Sequence, residues 1–310
     1  MKIVYVSGVK FGYSLLKEIL EHNFEISAVI SYSDSKKSVY SDFASFDFIC
    51  NKFNIQNIKV NNINDAENIE LLKLLKPDLI LVMGWSQLLK KNIIQTSKFG
   101  VIGSHPTELP KYRGRAPIPW TIIKELDQSA LTFFYIEEGI DDGDILAQKF
   151  FSINSDDDAK SLYEKIILLG KKMIIENLEL LQNNKAKRIK QDQSKFIEYW
   201  PKRNPNDGLI DWSKSCKEIH TLIRATTYPY PGAFTFFKNQ KIIIWKADFC
   251  NTEISKPGKI LNVTDDSIIL GTLNGEIIIT IAELLNGNSI FTENIFTKND
   301  IGSHLDNTNI

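Results

Sequence analysis

Of the four histidines in this 310-residue chain, His105 has the most suggestive place: it follows the apolar pair Val101 and Ile102 and precedes a proline that fixes the turn. An imidazole titrates near neutrality, so a histidine at the end of a strand is well placed to exchange protons. Further along, Glu137, Glu138, Asp141, Asp142 and Asp144 crowd a short turn that also contains Gly139 and Gly143. Like charges so close are costly unless the turn has a use. A carboxylate from this turn that reached His105 would favour the imidazolium and hold the ring in one tautomer. Between the two lies PKYRGRAP, where Lys111, Arg113 and Arg115 surround Gly114 and offer guanidinium groups suited to a carboxylate or phosphate. On residue type alone, a turn-capping histidine and a solvated basic loop explain the same letters.

The elements that must position these residues follow from periodicity. Lys2 to Ser7 is apolar and β-branched, Gly8 to Gly12 breaks it, and Leu15, Leu16, Ile19 and Leu20 recur at helical spacing. Phe24 to Ser31 reads as a second strand, Ile55 to Val60 as a weaker one, and Ile69 to Leu75 as a helix before the strand Leu79 to Val82. Strands alternating with helices predict an α/β, Rossmann-like parallel sheet. Ligands bind outside the carboxyl ends of such strands, so the loop MGWSQLL after Val82 is a site candidate on topology alone. A long amphipathic helix is expected over Ser161 to Leu181, then a polar, irregular stretch. Trp212 to Thr226 reads as helical, and four β-rich stretches between turn signals predict a smaller β-rich domain, an open barrel of OB type. The expected organisation is a catalytic domain over 1–190, a linker over 191–203 and the β-rich domain over 204–310, with a frayed polar end.

Composition narrows the function classes. Lys and Arg number 37 against 38 Asp and Glu, so no overall field draws in a polyanion. Cys50, Cys216 and Cys250 are far apart and lack the spacing of a zinc site, which predicts reduced thiols, no disulfide and no metal. Apolar runs are too short for a signal peptide or a membrane span, and a cytoplasmic location is expected.

The segment GVIGSHPTELPKYRGRAPIPWTIIKELDQSALTFFYIEEGIDDGDILAQ, with RNPNDGLIDW, IHTLIRATTYPYPGAF and IIIWKA further on, resembles the two-domain 10-formyltetrahydrofolate-dependent formyltransferases over nearly the whole chain. That family's catalytic set is an Asn, a His two residues later and an Asp in a downstream loop. The resemblance carries these onto Gly103, His105 and Asp141, with glycine standing where the family has its asparagine. The missing amide matters, since removing one oxyanion donor typically costs on the order of a hundredfold to a thousandfold in rate. The resemblance implies a folate pocket lined by Gly84, Trp85 and Ser86 and by Glu137, Glu138, Gly139, Ile140 and Asp141, with Arg115 near the bound 10-formyltetrahydrofolate.

Three acceptor classes fit such a chain: a nucleotide-linked amino sugar, an initiator methionyl-tRNA, or water in a folate-binding or formyl-hydrolysing protein. A tRNA substrate needs a broad basic surface. From Pro201 onward acidic and basic residues are about equal, and SYSDSKKSVYSDFASFDF after the second strand holds two lysines rather than an arginine-rich insertion. A small-molecule amino sugar is therefore the expected partner, with no nucleic acid and no membrane. The rings Tyr32, Tyr40, Phe43, Phe46 and Phe48 of that loop suit stacking on a nucleotide base or packing in a core. Exposed apolar stretches in the second domain leave a homodimer open.

Overall fold

The computed structural model describes residues 1–253 and 255–305. They divide into one unit of Met1–Pro117, Asp127–Ser155 and Leu162–Lys202 and a second of Ile118–Leu126, Asp156–Ser161 and Arg203 onward.

The chain runs through β1 (Ile3–Val6), α1 (Lys10–Glu21), β2 (Ile26–Tyr32), α2 (Asp47–Lys52), β3 (Asn57–Val60), α3 (Ala66–Leu75), β4 (Leu79–Val82), α4 (Lys91–Ile94) and β5 (Val101–His105). Then come β6 (Tyr112–Gly114), α5 (Pro117–Ile123), β7 (Gln128–Tyr135), β8 (Ile145–Ser152), α6 (Ala159–Gln182) and β9 (Glu198–Trp200). The main sheet of the first unit has the order β3-β2-β1-β4-β5-β7-β8. Its first five strands are parallel. Every residue of β1 and β4 is buried, as expected of strands covered on both faces. One face packs Val4, Val6, Ile30, Ile80, Val82 and Val101 against Ile69 and Leu72 of α3 and Ile93 of α4. Leu15, Leu16 and Ile19 of α1 are fully buried, and each such side chain contributes roughly 1.5–3 kcal/mol. The strand order reverses beside β1, where β2 lies to one side and β4 to the other, the place such sheets keep for ligands.

The sheet is not wholly parallel as the alternation suggested. β7 and β8 run antiparallel to their neighbours. Only residues 136–144 join β7 to β8, which suffices for an antiparallel return but not for a crossover helix. The polar stretch expected as a linker over 191–203 also differs, because Glu198–Trp200 pairs in parallel with Tyr112–Gly114 and places residues up to Lys202 in the first unit. Gly114 makes this pairing close: its φ is +107°, and a Cβ there would lie 2.4 Å from the Trp200 carbonyl oxygen.

In the second unit, α7 (Cys216–Thr226) lies before β10 (Ala233–Phe237), β11 (Gln240–Asn251), β12 (Ile260–Val263), β13 (Ile268–Gly271) and β14 (Gly275–Leu284). These strands form an antiparallel sheet of order β10-β11-β14-β13-β12. The helix starts after Trp212 because Ser215 caps it: its hydroxyl accepts from the Glu218 amide while Glu218 takes the Ser215 amide. Trp212 is buried in the core with Ile219, Ile223, Ile244 and Ile277, and its indole N–H donates to Thr235 at 3.0 Å. At the end expected to fray, Leu305 is buried and its amide donates to Gly258 O, while residues 306–310 lie outside the described ones. Among the described residues no helix is long and apolar enough to cross a membrane. All three cysteines are free thiols.

Candidate active site

Strand β5 alternates its side chains, so Val101, Gly103 and His105 share a face, with Val101 in the core and His105 at the carboxyl end. Val82 of β4 stands opposite Gly103, so the chain leaving β4 through Met83 and Gly84 passes level with the end of β5. His105 is 5% exposed. Its Nε2 lies 3.2 Å from the Tyr112 carbonyl, which also accepts a 2.5 Å bond from the Thr107 hydroxyl. A carbonyl can only accept, so Nε2 carries the proton and Nδ1 of the neutral ring presents a lone pair. That Nδ1 faces the Asp141 carboxylate with 3.7 Å between Nδ1 and Oδ2. The gap is too long for a direct hydrogen bond, and two acceptors so placed suit an N–H donor set between them.

Asp141 comes from the β7–β8 loop in a left-handed conformation with φ 50°. Its Oδ2 accepts from the Gly114 amide at 2.9 Å, so one carboxylate oxygen serves both the loop and the histidine. The other acids of the turn point elsewhere. Glu137 and Asp144 flank Arg188 at 3.5 and 3.7 Å, and Arg188 lies over the Tyr135 ring. Glu138 holds Lys91 at 2.8 Å and raises its pKa through that bond. Asp142 is exposed. Glu137 and Glu138 therefore spend their carboxylates on surface cations, and a folate beside them would meet loop backbone at Glu137, Glu138, Gly139 and Ile140. Among the described residues no cluster of His, Cys, Asp and Glu could hold a metal ion.

The β4 loop carries the other expected folate contacts. Gly84 takes φ +69°. Trp85 stacks on Tyr32 with ring centroids 3.7 Å apart, and the Ser86 amide donates to the Tyr32 hydroxyl at 3.0 Å. The Trp85 indole N–H is buried without an acceptor among the described residues, the kind of orphaned donor a bound pterin could satisfy. The folate thus fits these residues. Arg115 is exposed beside Gly114, its amide bonded to Trp200 O at 2.9 Å.

The structure narrows three readings. Of the basic turn, Lys111 is taken by Glu108 at 2.9 Å and Arg113 is buried, which leaves Arg115 alone to meet a ligand anion. Tyr32 and Phe46 are core residues, and Tyr32 is stacked with both Trp85 and Tyr40, so neither ring offers a face to a nucleotide base. At Gly103 the space an asparagine would take is filled: a Cβ there would lie 2.9 Å from Ile136 Cγ1 and 3.2 Å from Phe134 Cε1. Gly103→Asn is therefore expected to cost about 1–3 kcal/mol in stability and to leave transfer no faster, with part of the loss regained in the Gly103→Asn/Ile136→Ala pair. Urea unfolding and steady-state rates check this. A hundredfold gain from Gly103→Asn alone would show instead that a side-chain oxyanion donor is what the site lacks.

Sequence reasoning missed Gly114, Tyr112, Gln191 and Gln193 as neighbours of the pair. For Gly114 a signal existed in its place between two arginines; for the two glutamines, in a polar stretch, none did.

Comparisons with known proteins agree with this architecture. The formyl transferase model matches residues 1–178, and that of the formyl transferase C-terminal domain matches 202–299. The methionyl-tRNA formyltransferase of Alkaliphilus oremlandii is 34% identical over 288 residues, covering 92% of this chain and 91% of that protein. An N-formyltransferase from Helicobacter canadensis, solved with folinic acid and dTDP-3-aminofucose, superposes with a TM-score of 0.69 at 23% identity, over 90% of this chain and 98% of that one. WlaRD, a sugar 3N-formyl transferase solved with dTDP and 5-N-formyl-THF, gives 0.66 at 24% identity, over 92% and 98%.

Proposed function

The chain belongs to the formyl transferase family, and on that premise we propose that it formylates the amine of a nucleotide-linked amino sugar, with His105 as proton carrier and Asp141 as its partner. It is an N-formyltransferase, and its one-carbon donor is 10-formyltetrahydrofolate. The observation that carries the chemistry is the pair of facing acceptors, His105 Nδ1 and Asp141 Oδ2, at 3.7 Å.

The neutral amine is the nucleophile, and as it attacks the formyl carbon its nitrogen becomes cationic and must lose a proton. Set between the two acceptors, an N–H of the amine donates to both, and Nδ1 takes the proton while Nε2 stays anchored on Tyr112 O. The imidazolium so formed is buried and faces a carboxylate, which stabilises it. The folate supplies an electrophilic formyl carbon and, once the new C–N bond exists, a leaving nitrogen that must be protonated. His105 returns its proton there, so one proton leaves the acceptor and one reaches the donor nitrogen. Trp85 and the backbone of 137–140 would hold the pterin. With Ile136 in the asparagine's space, the oxyanion relies on imidazolium charge and on backbone or water donors.

For the acceptor, charge favours the sugar. From Arg203 onward the chain carries ten Lys and Arg against twelve Asp and Glu, which gives a polyanion no net attraction. The segment after β2 is tied down rather than extended as a basic arm: Lys59 bridges Asp34 and Asp47, and Asp42 accepts from Tyr163 at 2.7 Å. Of the two solved structures described above, one was solved with dTDP-3-aminofucose and the other is named a sugar 3N-formyl transferase. Methionyl-tRNA is the second reading, favoured by the 34% identity to a tRNA formyltransferase. The test offers the protein 10-formyltetrahydrofolate with a panel of nucleotide-linked 3-amino and 4-amino sugars and, separately, methionyl-tRNA. One sugar should be formylated and the tRNA not; a tRNA rate above every sugar overturns the choice.

A further inference from the structure

We infer that Gln191 is a positioning residue for Asp141, gripping its backbone while buried Arg113 fixes which way the Gln191 amide faces. The inference rests on the reading of Asp141 as the partner of His105.

Ile189 exchanges two backbone hydrogen bonds with Ile145, at 2.7 and 2.9 Å, and so brings the strand-like tail after α6 alongside the β7–β8 loop. Gln191, 7% exposed, then donates from Nε2 to Asp141 O at 2.7 Å and to Gly143 O at 2.8 Å. Its Oε1 accepts from Arg113 Nη2 at 2.7 Å, and the same Nη2 donates to Gln193 Oε1 at 3.0 Å. Arg113 is 4% exposed and adjoins Gly114, whose amide holds Asp141 Oδ2. The bonds close a circuit: Asp141 is held at its carboxylate by Gly114 and at its carbonyl by Gln191, and both anchors lead to Arg113. A non-glycine residue in the left-handed region persists only where its surroundings over-determine it. Here three hydrogen bonds do so.

The amide is needed in one orientation only. Two carbonyl oxygens demand a donor, and a guanidinium demands an acceptor. A glutamate of the same shape would keep Arg113 but set an oxygen against both carbonyls. The loop would then lose its hold without losing packing.

The experiment compares Gln191→Glu in the parent and in the Asp141→Asn background. In the parent, kcat should fall about tenfold or more, with KM for 10-formyltetrahydrofolate changed less than about threefold, because the loss is one of alignment. In the Asp141→Asn background the same change should alter the residual rate less than about twofold, since a residue acting through Asp141 has nothing left to act on. Equal losses in both backgrounds, or a parent-like kcat, overturn the inference. An Asp141→Asn protein as active as the parent instead overturns the role of Asp141 itself, a separately readable failure. If Gln191→Glu does not fold, Gln191→Met, which fills the volume without a donor, is read by the same criteria.

Discussion

His105→Ala is expected to lower kcat for formyl transfer by roughly a thousandfold, with 10-formyltetrahydrofolate still bound at near-parent affinity. Two groups define the role: Tyr112 O, which fixes the Nε2 proton, and Asp141, which faces the free Nδ1. Alanine removes the proton carrier and leaves both. Because His105 is the last residue of β5 and packs at a strand end, the variant should fold, and unchanged far-ultraviolet dichroism with a near-parent Tm checks this. Turnover within a factor of ten of the parent, at unchanged folate affinity, would remove His105 from the chemistry.

Asp141→Asn has the second largest expected effect, a loss of roughly a hundredfold or more in kcat. An asparagine can still accept from the Gly114 amide through its oxygen, so the loop is retained while the charge is lost. The neutral amide no longer stabilises the imidazolium formed when the amine's proton is taken. A variant that keeps kcat within a factor of ten of the parent's would show that the two groups do not act as a pair.

Much of this site was legible in the residues. His105 stands out because an apolar β-run ends on it, and the β4 loop because the topology of parallel sheets puts ligands there. Asp141 was one of five acids in a turn, and its selection came from family resemblance; the geometry separates it from Glu137, Glu138 and Asp144, which face surface cations. What was not legible depends on long-range pairing. The antiparallel direction of β7 and β8 had one local mark, the connection 136–144, too short for a crossover helix, but their place beside β5 is set by long-range pairing. Arg113 reads as a surface cation and is buried, because β6 pairs with a β9 that lies 86 residues away by the register of Tyr112 with Glu198. Gln191 and Gln193 sit in a stretch whose polarity suggested a linker, and only the fold reveals that their amides are paired. The aromatic rings after β2 left two uses open, stacking on a base and filling a core, and for Tyr32 and Phe46 burial decides for the core.

The account turns on amine-dependent transfer of one carbon by the His105 and Asp141 pair. Single-turnover reaction of the protein with 10-formyltetrahydrofolate labelled at the formyl carbon, with and without a nucleotide-linked amino sugar, measures it directly. The label should appear on the sugar nitrogen in step with the release of tetrahydrofolate, only when the amine is present, and roughly a thousandfold more slowly with His105→Ala. Release of the label as formate at the same rate with or without an amine would contradict the account and mark the protein as a hydrolase.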